Sequence, residues 1–253
     1  MVNLLIIDKK LGSGINGKIF RDLETILFYK INYNPNIDKI YIKVDNNENN
    51  KMNCIFDQDI DNVENIITQE ENTTNPIRID IQNVLQSPYY KEFKNLALKI
   101  MFSNKVYDIV KNYDKITNNT LAVHIRITDM DVWHSHGYKK ITYNDYVIAI
   151  NMVLNKYKNI TDIFIASDNH ESINKIISDF SNYNIHYFKT DLRVQFSNSD
   201  CYQFQLNNFK NENFYISSII DTLLLSKCKY IIHRVSSVSW LAILLSNTLE
   251  LSI

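Results

Sequence analysis

Short apolar runs of strand length alternate along this chain with longer stretches in which apolar residues recur every three or four positions. The runs predict strands at 4–8, 39–44, 121–126, 163–167, 185–188 and 230–233. The recurrences predict helices at 18–31, 89–112, 143–157, 171–180, 215–226 and 237–246, with Thr142 placed to cap the third. Such alternation predicts an α/β protein with mostly parallel sheets, because each parallel pair needs a crossover and the crossover is usually a helix. Two stretches break the pattern. Between 45 and 80 the polar segments "DNNENN" and "TQEENTTNP" predict loop, insertion or poorly ordered surface. The stretch 193–213 is longer than the roughly two to six residues usual between a strand and a helix, and long loops of α/β proteins often carry function.

The 253 residues fit one large α/β domain or two small ones. The simplest partition is an N-terminal half, 1–115, and a C-terminal nucleotide-fold half, 116–253. Apolar residues make up 45% and charged residues 22%, which sets the chain among folded globular proteins. With 27 Lys and Arg against 28 Asp and Glu, no global positive field draws it to nucleic acid, so any anion site is local. Three cysteines, Cys54, Cys201 and Cys228, share no CxxC spacing and point to reduced thiols and a cytoplasmic location. The apolar stretch at 4–7 is too short for a signal sequence and ends in Asp8, and no run approaches the ~18 apolar residues of a membrane span.

In an open α/β sheet, ligands bind beyond the carboxyl ends of the strands, beside helix N-termini. Three strand ends qualify. "VHIRITD" carries His124, Arg126 and Asp129; "IFIASD" ends in Ser167 and Asp168; "YIIHRVSS" carries His233 with Ser236 and Ser237 opening the next helix. Hydroxyls and free N–H groups at a helix start suit a phosphate, and the Arg126 guanidinium offers a fork-shaped charge to the same group. Each residue also has a plainer reading: the serines as an N-cap, Arg126 as a solvated side chain, His124 as a core histidine, Asp221 as a cap for the turn that follows it. "LGSGINGKIF" holds Gly12, Gly14 and Gly17 between the first strand and helix, in the spacing of a dinucleotide loop. The acidic ribose partner of that motif is missing, since Asp38 precedes its strand.

The motifs at 123–129, 163–168 and 221–240 resemble, in order and spacing, those of GDP-fucose-dependent fucosyltransferases with the GT-B fold. "LLSKCKYIIHRVSSVSWLA" is most similar to the α1,2-fucosyltransferases, and the Thr-Asp after "HIR" to the α1,6 enzymes and the rhizobial chitin-oligosaccharide fucosyltransferases. The likeness covers the C-terminal half and, in the N-terminal half, only the Gly-rich loop. It implies two Rossmann-type halves, the first on the acceptor side and the second binding the GDP-sugar. It implies donor contacts by His124, Arg126, Asp221 and Ser237: Arg126 offsets the charge of the departing diphosphate, Asp221 and His124 hold guanine and Ser237 holds the β-phosphate. Asp168, Ser236 and Gly14, reached from the strand ends and the Gly-rich stretch, complete the expected donor-binding set. Two departures stand out: the family's second Arg is Ile127, and the position of the α1,6 enzymes' Glu base is His134.

The leading expectation is an inverting glycosyltransferase that transfers fucose from GDP-fucose to a hydroxyl of a glycan acceptor, with no metal and no cofactor beyond its donor substrate. Catalysis falls to Arg126, with His134, His136 or Asp131 taking the acceptor proton. Aromatic residues such as Trp133, Tyr138, Tyr202 and Phe204 are candidates for stacking on acceptor sugars. A non-catalytic nucleotide-sugar or glycan-binding module is the alternative. A metal-dependent GT-A enzyme, using Asp57 and Asp59 or Asp129 and Asp131, is a further one.

Overall fold

The computed structural model describes residues 2–8, 15–33, 36–44, 56, 63–69, 84–127, 141–193, 212–247 and 251–252. They form two compact units. The first comprises Met1–Asn112, Lys210–Ile219 and Val235–Leu245, and the second Tyr113–Phe209, Ile220–Arg234 and Ser246–Ile253.

The first unit is built on a parallel three-stranded sheet in the order β2-β1-β3, formed by β1 (Val2–Asp8), β2 (Ile37–Val44) and β3 (Val63–Gln69). Helix α1 (Ile15–Tyr33) buries Ile19, Phe20, Leu23, Ile26 and Leu27, a stripe with the helical spacing that the sequence displays. β3 corrects the expectation that 45–80 is loop or insertion throughout. Val63, Ile66, Ile67 and Thr68 are β-branched and take an edge position beside β1, which leaves Ile66 exposed.

The helix expected over 89–112 is two helices, α2 (Tyr90–Ala97) and α3 (Asn104–Lys111). Between them Lys99 O accepts from Ile40 N (2.8 Å) and Met101 N donates to Ile40 O (2.9 Å), so the chain leaves the helix to satisfy the open edge of β2. Ile100 and Phe102 are buried there, the latter stacked on Phe56 with ring centroids 6.1 Å apart. No Gly or Pro marks the break, which is why periodicity ran through it.

The second unit holds a parallel five-stranded sheet, order β6-β5-β4-β7-β8, made of β4 (Thr120–Ile125), β5 (Asp162–Ser167), β6 (Asn184–Tyr187), β7 (Tyr230–His233) and β8 (Leu251–Ser252). Leu121, Val123 and Ile125 of β4, with Ile163, Ile165, Tyr230 and Ile232, share one core with helices α4 (Tyr143–Lys156) and α5 (His170–Asp179). Of the two helices that remain, α6 (Glu212–Ser226) passes from the first unit to the second at Ile220, and α7 (Ser237–Leu245) belongs to the first. Thr142 caps α4 as expected. Its backbone N–H and its hydroxyl both donate to the Asp145 carboxylate, at 2.6 and 2.7 Å. Among the described residues no helix is long and apolar enough to cross a membrane.

Candidate functional site

Successive side chains of a strand point to opposite faces, so a β4 that gives Leu121, Val123 and Ile125 to one core turns Ala122 and His124 to the other face. His124 is paired in register with His233 on β7 and with Ala166 on β5, so two imidazole-bearing positions lie side by side at the carboxyl end of the sheet. Burial pushes the His124 imidazole down to about 3, and the neighbouring Arg126, His233 and Arg193 push in the same direction. It is neutral at pH 7. His233 is also lowered by burial, partly offset by a 3.2 Å hydrogen bond in which its Nδ1–H donates to the Arg234 carbonyl.

Arg126 is the first residue beyond β4. Its backbone N–H donates to the Tyr146 hydroxyl (3.3 Å), which anchors the turn to α4. Burial raises that phenol to about 12, with Arg234, Asp168 and Arg126 close enough to act on it electrostatically, so the ends of β4, β5 and β7 meet around Tyr146. Asp168 sits on a locked turn. Asn169 N donates to Ser167 Oγ (3.1 Å), while Asn169 Oδ1 caps α5 by accepting from the N–H and the hydroxyl of Ser172, at 2.8 and 3.0 Å.

Asp221 is not the turn cap that the plain reading allowed. It lies within α6, buried, with both carboxylate oxygens within 3.2 Å of Arg193 Nη2. The same guanidinium donates to the carbonyls of Ser167 and Phe188, the second at 2.9 Å. Burial pushes the Asp221 carboxyl up, and the charge and hydrogen bond of Arg193 pull it back only in part.

The second unit therefore assembles His124, Arg126, Asp168 and Asp221 at the carboxyl edge of its sheet. Ser236 and Ser237 belong to the first unit, at the start of α7, where Ser236 Oγ accepts from Ser239 N (3.2 Å) and so does act as the N-cap. Gly14, Asp131 and His134 lie outside the described residues, as do Asp129, His136, the Asp57/Asp59 pair and the four loop aromatics. Sequence reasoning missed Arg193, Arg234 and Tyr146. Arg234 directly follows His233 and was legible by the same strand-end rule. Ile127, standing where the resembled family has its second Arg, packs against the apolar core; Arg193 and Arg234 bring positive charge to this edge.

Two parallel α/β sheets, one with charged side chains beyond the carboxyl ends of its strands, define the GT-B class of fold that the sequence predicts. Solved structures agree. The chain is similar to the fucosyltransferase NodZ from Bradyrhizobium, with a TM-score of 0.55 at 13% identity over 97% of this chain and 94% of that one. It is similar also to NodZ α-1,6-fucosyltransferase co-crystallised with GDP (TM-score 0.55, 11% identity, 97% and 93% covered) and to the apo form of POFUT1 (TM-score 0.53, 8% identity, 98% and 97% covered). Identity this low shows the fold. No protein-family model and no curated protein sequence matches the chain.

Proposed function

We propose that the chain is an inverting glycosyltransferase that moves fucose from GDP-fucose to a hydroxyl of a glycan acceptor, without a metal ion. The observation that carries this reading is the gathering of His124, Arg126, Asp168 and the Arg193–Asp221 pair at the carboxyl edge of one parallel sheet. That edge is where open α/β sheets hold nucleotides. The fold likeness adds to it, since NodZ was crystallised with GDP and soaked with GDP-fucose. On this reading residues 116–253 form the GDP-sugar half and 1–115 the acceptor-side half.

The acceptor oxygen attacks the anomeric carbon while the bond from that carbon to the diphosphate oxygen breaks, and negative charge grows on departing GDP. Arg126, half-buried at the strand end, offsets that charge more in the transition state than in the bound donor. His124 and Asp221 hold the nucleotide. His134 or Asp131 removes the acceptor proton, in line with the departure from the α1,6 pattern.

Release of GDP from GDP-fucose, with and without a panel of oligosaccharide acceptors and with EDTA present, tests the reading. Acceptor-dependent release in EDTA supports it. Tight GDP binding without release under any condition leaves a binding module, and release only with added divalent ion removes metal independence.

A further inference from the structure

Arg234 follows β7 directly and is only 5% exposed. The parallel pairing of β4 and β7 runs in register to His124 opposite His233. Continued by one step, it sets Arg234 beside Ile125 and leaves Arg126 one residue further on. Adjacent strands lie about 4.8 Å apart and rise about 3.3 Å per residue, so the two arginine backbones come within about 6 Å of each other at the sheet edge. Their charges meet at one point: both act on the Tyr146 phenol, as does Asp168, and the oxygen of that phenol accepts from Arg126 N at 3.3 Å. Among the described residues, three guanidiniums (Arg126, Arg193 and Arg234) and two carboxylates (Asp168 and Asp221) gather here, with Arg193 matched to Asp221 at 3.1 Å. His124 and His233, lowered first of all by burial, are neutral at pH 7 and leave that balance unchanged. A largely buried cluster with one cation in excess is costly unless an anion joins it.

We propose that Arg234 is a further donor-binding residue, whose guanidinium supplies a second positive charge to the diphosphate of the nucleotide sugar, one strand over from Arg126. This rests on the nucleotide-sugar reading and names the residue that makes the site prefer a diphosphate to a monophosphate. The two charges come from neighbouring strands and not from neighbouring residues of one strand, which is why Ile127, next to Arg126, can pack against the apolar core. A guanidinium suits the task because its planar fork offers paired N–H donors to phosphate oxygens and keeps its charge at every pH at which the protein folds. Its burial matters as well, since a charge beneath the edge is screened less by water and salt than one on the surface. Arg234 is more buried than the half-buried Arg126 and meets the diphosphate in the bound donor, so its effect falls on affinity.

The test measures dissociation constants of GDP and GMP for the full chain, in the native protein, in Arg234→Met, in Arg234→Lys and in Arg234→Met combined with Asp168→Asn. The native protein should prefer GDP to GMP by more than about tenfold, and in Arg234→Met GDP should bind about tenfold or more weakly while GMP changes less, the scale of one hydrogen bond to a charged group. Arg234→Lys keeps the charge and loses the fork, so GDP should weaken several-fold with GMP unchanged; this variant decides the matter if Arg234→Met does not fold. Native affinity for both nucleotides in a folded variant overturns the proposal and leaves the GDP-sugar reading intact. Equal weakening of GDP and GMP also overturns it, marking Arg234 as a structural partner of Asp168, as does recovery of native GDP affinity when Asp168→Asn is added to Arg234→Met. A native protein that binds GDP no better than GMP overturns the proposal alone, and one that binds no GDP overturns the nucleotide-sugar reading with it.

Discussion

His124 is 5% exposed on β4, in register with a second histidine and near two arginines, so protonating it places a further positive charge where burial and neighbours both oppose it. Its folded pKa of about 3 lies below the unfolded value of 6.5. The group therefore contributes stability that is complete above about pH 6.5 and is lost as pH falls toward 3, at a slope of about 1.4 kcal/mol per pH unit inside that window. His233 is shifted the same way, while Asp221, raised by burial, acts in the opposite sense and loses its contribution as pH rises from the carboxylate range. Urea midpoints from pH 7 down to 4 should fall in the native protein and fall less in His124→Gln; parallel curves for the two would show that His124 is not held neutral. For the reaction, Arg126→Ala should reduce turnover by about a hundredfold or more and weaken GDP binding less, because a preorganised donor acts chiefly on developing charge. Near-native turnover would remove Arg126 from the mechanism. His134→Ala should abolish transfer with GDP affinity intact, with His136→Ala as its control and Asp131→Asn testing the carboxylate. The strand-end rule found His124, Arg126 and Asp168 because their role depends on local position. It could not find Arg193, whose meaning comes from Asp221, 28 residues away on another element.

Elements were legible wherever local pattern and tertiary packing agree. β7 is found at the residues expected, and α4 begins where Thr142 predicts it, because a cap is a local hydrogen-bonding unit and needs no knowledge of the rest of the fold. β3 and the break between α2 and α3 were illegible for a common reason: both are fixed by pairing with a distant strand, β1 in one case and β2 in the other. Hydrogen bonds to a strand edge override helical periodicity without leaving Gly or Pro as a signal. The capping box at α4 gives an element-scale prediction. Asp145→Ala removes the acceptor of two bonds and should lower the unfolding free energy by about 1 kcal/mol, read as a shift of the denaturant midpoint with an unchanged slope. Because α4 carries Tyr146, which anchors the Arg126 turn, the same variant should leave GDP affinity unchanged only if fraying stays within the first turn. A several-fold weaker affinity would show that the cap reaches the site.

At the scale of the whole molecule, the near-balance of 27 basic and 28 acidic residues means that any nucleotide affinity comes from the local cluster at the sheet edge and not from a general field. The GT-B fold was legible chiefly through the motifs of the C-terminal half, where polar residues repeat at three strand ends. The N-terminal half offered one Gly-rich loop, and its sheet was incomplete without β3. The prediction that belongs here is ligand selectivity read on global unfolding. GDP and GDP-fucose at a hundredfold above Kd should stabilise the native chain by about 2.7 kcal/mol, the mass-action value for a ligand that binds the folded state alone. UDP and NAD at the same concentrations should not shift the transition, since the acidic ribose partner of a dinucleotide loop is absent and uracil lacks a paired N–H edge. The gain should persist at moderate salt, because a buried carboxylate and half-buried Arg126 are screened less than surface charges. Equal stabilisation by UDP-sugars would overturn the donor assignment while leaving the fold untouched. Stabilisation by GDP that survives Asp221→Asn and Arg126→Ala together would place the nucleotide away from this edge of the sheet.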